Sequence, residues 1–368
     1  VTDPADLLIV GGGPAGLATA IRARLAGLST TVIDRARPPI DKACGEGLMP
    51  DAVMRLREIG VDPRGFPFRG IRYLDGDLVA EGHFPGSGGL GVRRTELHAA
   101  LVRRARSAGV DLRWGVKAEG LTAAAEGVRT DQGLLAARWI VGADGLRSQV
   151  RHWAGLEGDS SPLRRFGVRR HFAVAPWSDC VEVYWGPECE AYVTPVRHDE
   201  VGIAVLWSGR KAGFDSLLES FPALKEKIGN APIVSRDRGT GPLKQQARAV
   251  SKGRVALVGD AAGYLDAITG EGLAVTLHES AALVEALVAG DLSRYAAAHR
   301  RINRLPNFMT SMVLALERRP RLRRRALRAL AAEPALFARL LGIHARTLPP
   351  RDFGLDGALR LAWRLVAA

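Results

Sequence analysis

Cysteine is scarce in this chain of 368 residues. Cys44, Cys180 and Cys189 are the only three, an odd number with no C-x-x-C spacing. That argues against a disulfide framework or a zinc site and for a reducing compartment, so no metal is expected. Long apolar runs are missing too. None reaches the ~18 residues that a membrane-spanning helix needs. The opening residues run straight into an apolar strand with no signal peptide to set aside, so a cytoplasmic location is expected. Acid is short relative to base: 39 Asp and Glu stand against 52 Lys and Arg, a net charge of +13. The excess favours anionic partners, but no aromatic interleaving accompanies it and no nucleic-acid partner is expected. Internal repeats and low-complexity linkers are absent. What remains, 47% hydrophobic and 25% charged, is an ordinary globular composition with room for about two domains.

The organising stretch is 7–34, LLIVGGGPAGLATAIRARLAGLSTTVID. It reads as a strand over 7–10, a glycine turn over 11–16, a helix from Ala15 to about Ala26 and a second strand over 30–33. Gly11, Gly13 and Gly16 fill the G-x-G-x-x-G pattern, with Pro14 and Ala15 between them. The first glycine permits the tight turn, the second lets backbone approach a pyrophosphate, and the third lets helix pack on sheet. The helix start offers free N–H groups and a positive dipole end to phosphate charge. Asp34 follows Gly16 by 18 residues, near the spacing of a carboxylate that accepts from a ribose hydroxyl, and Arg35 adjoins it.

Helices are expected over 51–59, from Thr95 to about Ala108, near 214–227, over 272–289 and from Leu292 onward. The segment 66–91 reads as a β excursion, and 111–139 as a meander turning at Glu126-Gly127 and Gln132-Gly133. Alternating segments between Arg165 and Gln246 suggest an antiparallel sheet inserted into the first domain. The resulting division is 1–70, 91–164 and 247–300 for a discontinuous cofactor domain, 71–90 and 165–246 for a substrate sheet, and 301–368 for C-terminal helices. The run Arg318-Arg319-Pro320-Arg321-Leu322-Arg323-Arg324-Arg325 belongs to one of those helices. It reads first as a solvated face, with peripheral contact to a membrane surface as the alternative.

Two further motifs sharpen the picture. One is 142–151, GADGLRSQVR; the other is 254–263, RVALVGDAAG, continuing to Thr269-Gly270-Glu271-Gly272-Leu273. With the first glycine turn they occur in the order found in FAD-dependent monooxygenases of the para-hydroxybenzoate hydroxylase type, and in their geranylgeranyl reductase relatives. The chain resembles these over roughly its first 300 residues. The resemblance implies an α/β fold: a Rossmann-like FAD-binding domain of the glutathione reductase/para-hydroxybenzoate hydroxylase type, an inserted antiparallel-sheet substrate domain and C-terminal helices. It implies non-covalent FAD, with Asp260 on the ribityl hydroxyls and Arg94 on the phosphates, Arg93 being its rival. Asp144 is implied in cofactor-domain architecture and nicotinamide contact; a cap for the helix starting near Ser148 is the alternative. The N–H groups of Gly270, Glu271 and Gly272 are implied to face the flavin pyrimidine.

The loop Lys42-Ala43-Cys44-Gly45-Glu46-Gly47 resembles the Cys-Gly segment of geranylgeranyl reductases, so Cys44, Gly45 and Glu46 are expected to line the flavin. Two signatures are missing: the reductases' Tyr-x-Trp-x-Phe-Pro reads Ala191-Tyr192-Val193-Thr194-Pro195 here, and the halogenases' Trp-x-Trp-x-Ile-Pro is absent. The expected pocket, between FAD domain and sheet, takes in His171, Tyr184, Tyr192 and Trp207. The expected function is an NAD(P)H-using monooxygenase of secondary metabolism. It would use O2 to hydroxylate or epoxidise an apolar or aromatic small molecule through a flavin hydroperoxide. The alternative is a flavin reductase of prenyl or quinone double bonds.

Overall fold

A computed structural model describes residues 5–159, 164–210 and 212–367; the outermost residues of the spans just given and the 160–163 junction lie outside these. Two sheets carry the molecule. In the first, the strands Val255–Leu257, Gly133–Gly142, Ala5–Val10, Thr30–Asp34 and Asp111–Trp114 lie side by side and parallel, with Ala5–Val10 in the middle. The inner strands are apolar on both faces: Leu7, Leu8, Ile9, Ile140 and Val141 are fully buried. Helix α1 (Pro14–Leu25) leads to one neighbour of the central strand, while the other neighbour, Gly133–Gly142, arrives much later in the chain. The strand order therefore switches at Val10 and Gly142. In such sheets ligands bind in the crevice beyond the carboxyl ends at that switch. All three glycine motifs follow strands that end there.

The second sheet has seven strands, ordered Arg238–Thr240, Arg165–Phe172, Glu200–Ser208, Cys189–Arg197, Cys180–Gly186, Gly70–Asp75 and Leu78–His83. Only the pair Cys180–Gly186 and Gly70–Asp75 is parallel. Alternation splits its faces. Tyr184, Ala191, Val193, Ile203, Val205 and Trp207 pack against Phe214, Phe221 and Leu224. The other face carries Val181, Val183 and Trp185 toward Leu327, Phe337 and Leu341 of the C-terminal helices. The single helix expected near 214–227 is two: α5 (Phe214–Leu218) and α6 (Pro222–Ile228). Pro222 has no N–H to continue the first and instead opens the second.

The remaining helices are α2 (Pro50–Glu58), α3 (Arg94–Ser107), α4 (Gln149–Trp153), α7 (Gly272–Val288), α8 (Leu292–Glu317), α9 (Pro320–Ala332), α10 (Pro334–His344) and α11 (Gly354–Ala367). Among the described residues no helix is long and apolar enough to cross a membrane. The basic run corrects its expectation in part. Arg323 is buried, bonded through Nε to Asp75 at 2.8 Å, with its guanidinium over Trp185. Arg324 bonds Asp75 O and Asp77. These two staple α9 to the Gly70–His83 hairpin; Arg318, Arg319, Arg321 and Arg325 stay exposed.

Candidate functional site

The central strand ends at Gly11, whose φ of +114° only glycine adopts comfortably. Gly16 sits so close to that turn that a Cβ would fall 1.9 Å from Gly11 O. Gly13 differs: the one atom near its Cβ position is Arg94 Nη2 at 3.8 Å. The turn is thus packed hard on its inner side and open on its outer side. No side chain caps α1, and the N–H groups of Ala15 and Gly16 find no acceptor among the described residues. Asp34 holds the turn: its Oδ2 accepts from Gly12 N and its Oδ1 from Ala36 N, both at 2.8 Å. Arg35 is exposed beside it. His98, one turn after Arg94 on α3, sets its Nε2 2.9 Å from Gly12 O, and its Nδ1 accepts from Ile40 N. A hydrogen bond accepted at Nδ1 makes Nε2 the donor, so the ring is neutral. Burial also lowers its pKa. Sequence reasoning missed His98; its position four residues after Arg94 was the available signal.

Arg94 is 8% exposed, yet its guanidinium has no hydrogen bond or ion pair among the described residues. Burial pulls its pKa down, opposed chiefly by Cys44 and Asp260. Arg93 is committed elsewhere, to Glu200. Asp260 lies in a short turn, Gly259–Ala262, just past the strand Val255–Leu257. Its carboxylate is half-buried and has no hydrogen-bond or ion-pair partner among the described residues; burial raises its pKa, opposed by Lys42 and Arg94. Asp144 is the contrast. Its Oδ2 accepts from Gln149 N at 2.7 Å and Val150 N at 3.2 Å, and its Oδ1 from Ser148 Oγ at 2.5 Å. Oδ2 thus caps the first N–H groups of α4, and Oδ1 holds the hydroxyl of Ser148, the N-cap residue, which accepts from Arg151 N. Arg151 of the same motif bonds Ala261 O at 3.1 Å and so ties α4 to the Asp260 turn.

The Cys44 loop divides by residue. Cys44 is accessible to solvent, while desolvation by the surrounding protein raises its thiol pKa, with Arg94 opposing most. Gly45 O accepts from Thr194 Oγ1 of the second sheet at 2.8 Å. Glu46, at φ +62°, turns its carboxylate into the protein. Oε1 accepts from Arg94 N at 2.7 Å, and Oε2 lies 2.5 Å from His171 Nε2. Glu46 is therefore a clasp between the start of α3 and the second sheet. His171 serves the same clasp and is fully buried.

Of the other expected pocket residues, Tyr192 shares the face of Val183 and donates to Ile268 O, in the loop before α7, at 2.7 Å. Tyr184 and Trp207 project from the opposite face, into the core beneath α5 and α6. Their hydrogen bonds go to Glu182 and to Arg210 O. The structure does not bring these two to the site, because strand alternation sends them away from it. At the start of α7 the N–H groups of Gly272, Leu273 and Ala274 have no acceptor among the described residues. Glu271 is buried, its Oε2 3.3 Å from His344 Nδ1, and burial raises its pKa. Gly270 takes φ +71° to deliver the chain there.

These features fit a dinucleotide carrying an electron-accepting ring. An unpartnered guanidinium stands at an open glycine turn, a second helix start is uncapped, and a free carboxylate lies between them. The comparisons agree. The FAD binding domain family matches residues 4–291. Menaquinone reductase of Mycobacterium tuberculosis (strain CDC 1551 / Oshkosh) is 28% identical, over 80% of this chain and 79% of that one. Digeranylgeranylglycerophospholipid reductase of Methanosarcina acetivorans is 27% identical, over 78% and 77%. A flavoprotein/dehydrogenase from Cytophaga hutchinsonii shares the fold, with a TM-score of 0.81 at 17% identity over 94% of each chain. The open turn, the idle charges beside it and the family match lead to one conclusion: this chain belongs to the FAD binding domain family and is an FAD-dependent oxidoreductase.

Proposed function

We propose that the chain is a flavin reductase of prenyl or quinone double bonds. The observation that carries this is coverage: two curated proteins that match over three quarters of the chain are named as reductases. That favours the alternative of the sequence reading over its monooxygenase.

When bound, non-covalent FAD supplies the two electrons, replenished from NAD(P)H. The chain's own residues hold and orient. Arg94 and the α1 start take the pyrophosphate between Gly11 and Gly16. Asp34 and Asp260 receive ribose and ribityl hydroxyls. The bare N–H groups of α7 favour negative charge on the ring's pyrimidine edge. Cys44, a protonated thiol open to the groove, meets the substrate. The Glu46–His171 clasp fixes the loop that carries it. The three free cysteines accord with a cytoplasmic setting.

The test is anaerobic. Protein with reduced FAD is mixed with a short-chain quinone or a geranylgeranyl lipid. Reoxidation without oxygen, with a two-electron-reduced product, is expected. Reoxidation only in air, with labelled oxygen in the product, would restore the monooxygenase.

A further inference from the structure

From Leu292 to Ala332 the sequence holds one acid, Glu317, and it is buried, 3.3 Å from Arg165. The outward stripe of α8 carries Arg301, Arg304, Phe308 and Met312, all exposed at helical spacing. Phe308 is 63% exposed. Beyond the turn, Arg318, Arg319, Arg321 and Arg325 form no ion pair with any described residue. The first turns of α9 border a depression of about 490 Å³ lined by Arg321, Leu322, Arg324, Arg325 and Arg328. Helix α11, tied back by Arg364 to Glu333 at the end of α9, exposes Leu359 and Trp363, 70% and 71% accessible and one turn apart.

We propose that α8, α9 and α11 form a docking surface for an anionic lipid membrane. Unopposed guanidinium charge complements lipid phosphate, and the exposed Phe, Met, Leu and Trp side chains have an apolar layer to enter. The apolar side chains decide between partners. A nucleic acid would reward the arginines and gain nothing from Leu359, Met312 or Leu322, whereas a bilayer rewards both sets. Tryptophan in particular is stabilised at the headgroup boundary, where its ring has one apolar and one polar neighbour. Binding is peripheral, since no described helix can span a bilayer. The inference does not depend on what the enzyme reduces.

The experiment uses FAD-loaded full chain, without substrate, in flotation with two kinds of vesicle: phosphatidylcholine alone, and equimolar phosphatidylcholine and phosphatidylglycerol. Binding only to the anionic vesicles, weakened by added salt, is expected. The triple variant Arg319→Glu, Arg321→Glu, Arg325→Glu should lose on the order of 100-fold in partitioning, at roughly 1 kcal/mol for each lost surface arginine. Its FAD content and melting temperature should stay unchanged, since these side chains hold nothing. Trp363→Ser should weaken partitioning and abolish a vesicle-induced blue shift in tryptophan fluorescence. Equal binding to both vesicles, a triple variant that binds like the parent, or binding to duplex DNA but not to vesicles would each overturn the proposal.

Discussion

Two arginines measure the difference between the cofactor groove and the contact between the sheets. Arg94 and Arg165 are both nearly excluded from solvent. Arg165 is surrounded by carboxylates: Nη2 bonds Glu190, Nε bonds Asp266 at 2.9 Å, and Nη1 lies 3.3 Å from Glu317. The Arg94 guanidinium has no hydrogen-bond or ion-pair partner among the described residues. Leaving a buried charge unpaired costs several kcal/mol, and a chain keeps one only where something else repays it. At Arg165 the partners are within the fold, and the charge joins the second sheet to the loop before Gly270 and to α8. At Arg94 the missing partner is a ligand anion. Burial alone does not mark a site; burial without a partner does.

Substitutions at the two positions should therefore fail in opposite ways. Arg165→Met strands three carboxylates and should cost about 3–5 kcal/mol of stability, seen as a large drop in melting temperature whether or not FAD is present. Arg94→Met should leave the melting temperature of FAD-free protein unchanged or higher, and should weaken FAD binding about 10- to 100-fold, the worth of a charge-assisted hydrogen bond. Equal losses of stability in both variants would erase the distinction.

The carboxylates around Arg165 sharpen it through pH. One guanidinium cannot neutralise three carboxylates, and burial raises Glu190 to about 8, with Arg165 the main opposing influence. Its Oε2 has no hydrogen-bond partner. Between the unfolded value near 4.5 and about 8 the native state holds a proton that the unfolded chain has lost. Stability from this group is therefore full below that window and falls as pH rises through it. Melting temperature should drop between pH 5 and pH 9, by an equivalent of up to about 4–5 kcal/mol. Glu190→Gln should flatten that slope; an unchanged slope would place the proton elsewhere. The smallest effect is expected at Asp144. Replacing this cap with Ala should cost about 1 kcal/mol and leave FAD affinity untouched, whereas lost affinity would make it a cofactor contact.

The glycine turn, the strand around it and α7 were legible in the sequence because each is a local pattern. Helix α7 was expected over 272–289 and runs Gly272–Val288. Local spacing also separates Gly11 from Gly13. It does not reveal which charged residues find partners, because those partners come from distant strands. Glu46 read as a flavin neighbour from its loop, yet His171, 125 residues away, claims its carboxylate. Tyr184 and Trp207 read as pocket residues from their strands, but the face a strand presents depends on pairing that no short window encodes. Arg323 and Arg324 read as solvated from their neighbours in sequence, and Asp75 and Asp77 hold them.

The most direct measurement is equilibrium titration of FAD-free protein with FAD, comparing the parent with Arg94→Met and following flavin fluorescence. The expected result is saturable binding by the parent, affinity reduced at least 10-fold in the variant, and a melting temperature for the FAD-free variant equal to or above that of the FAD-free parent. Equal FAD affinity in parent and variant would contradict the assignment of Arg94 as the cation awaiting the pyrophosphate.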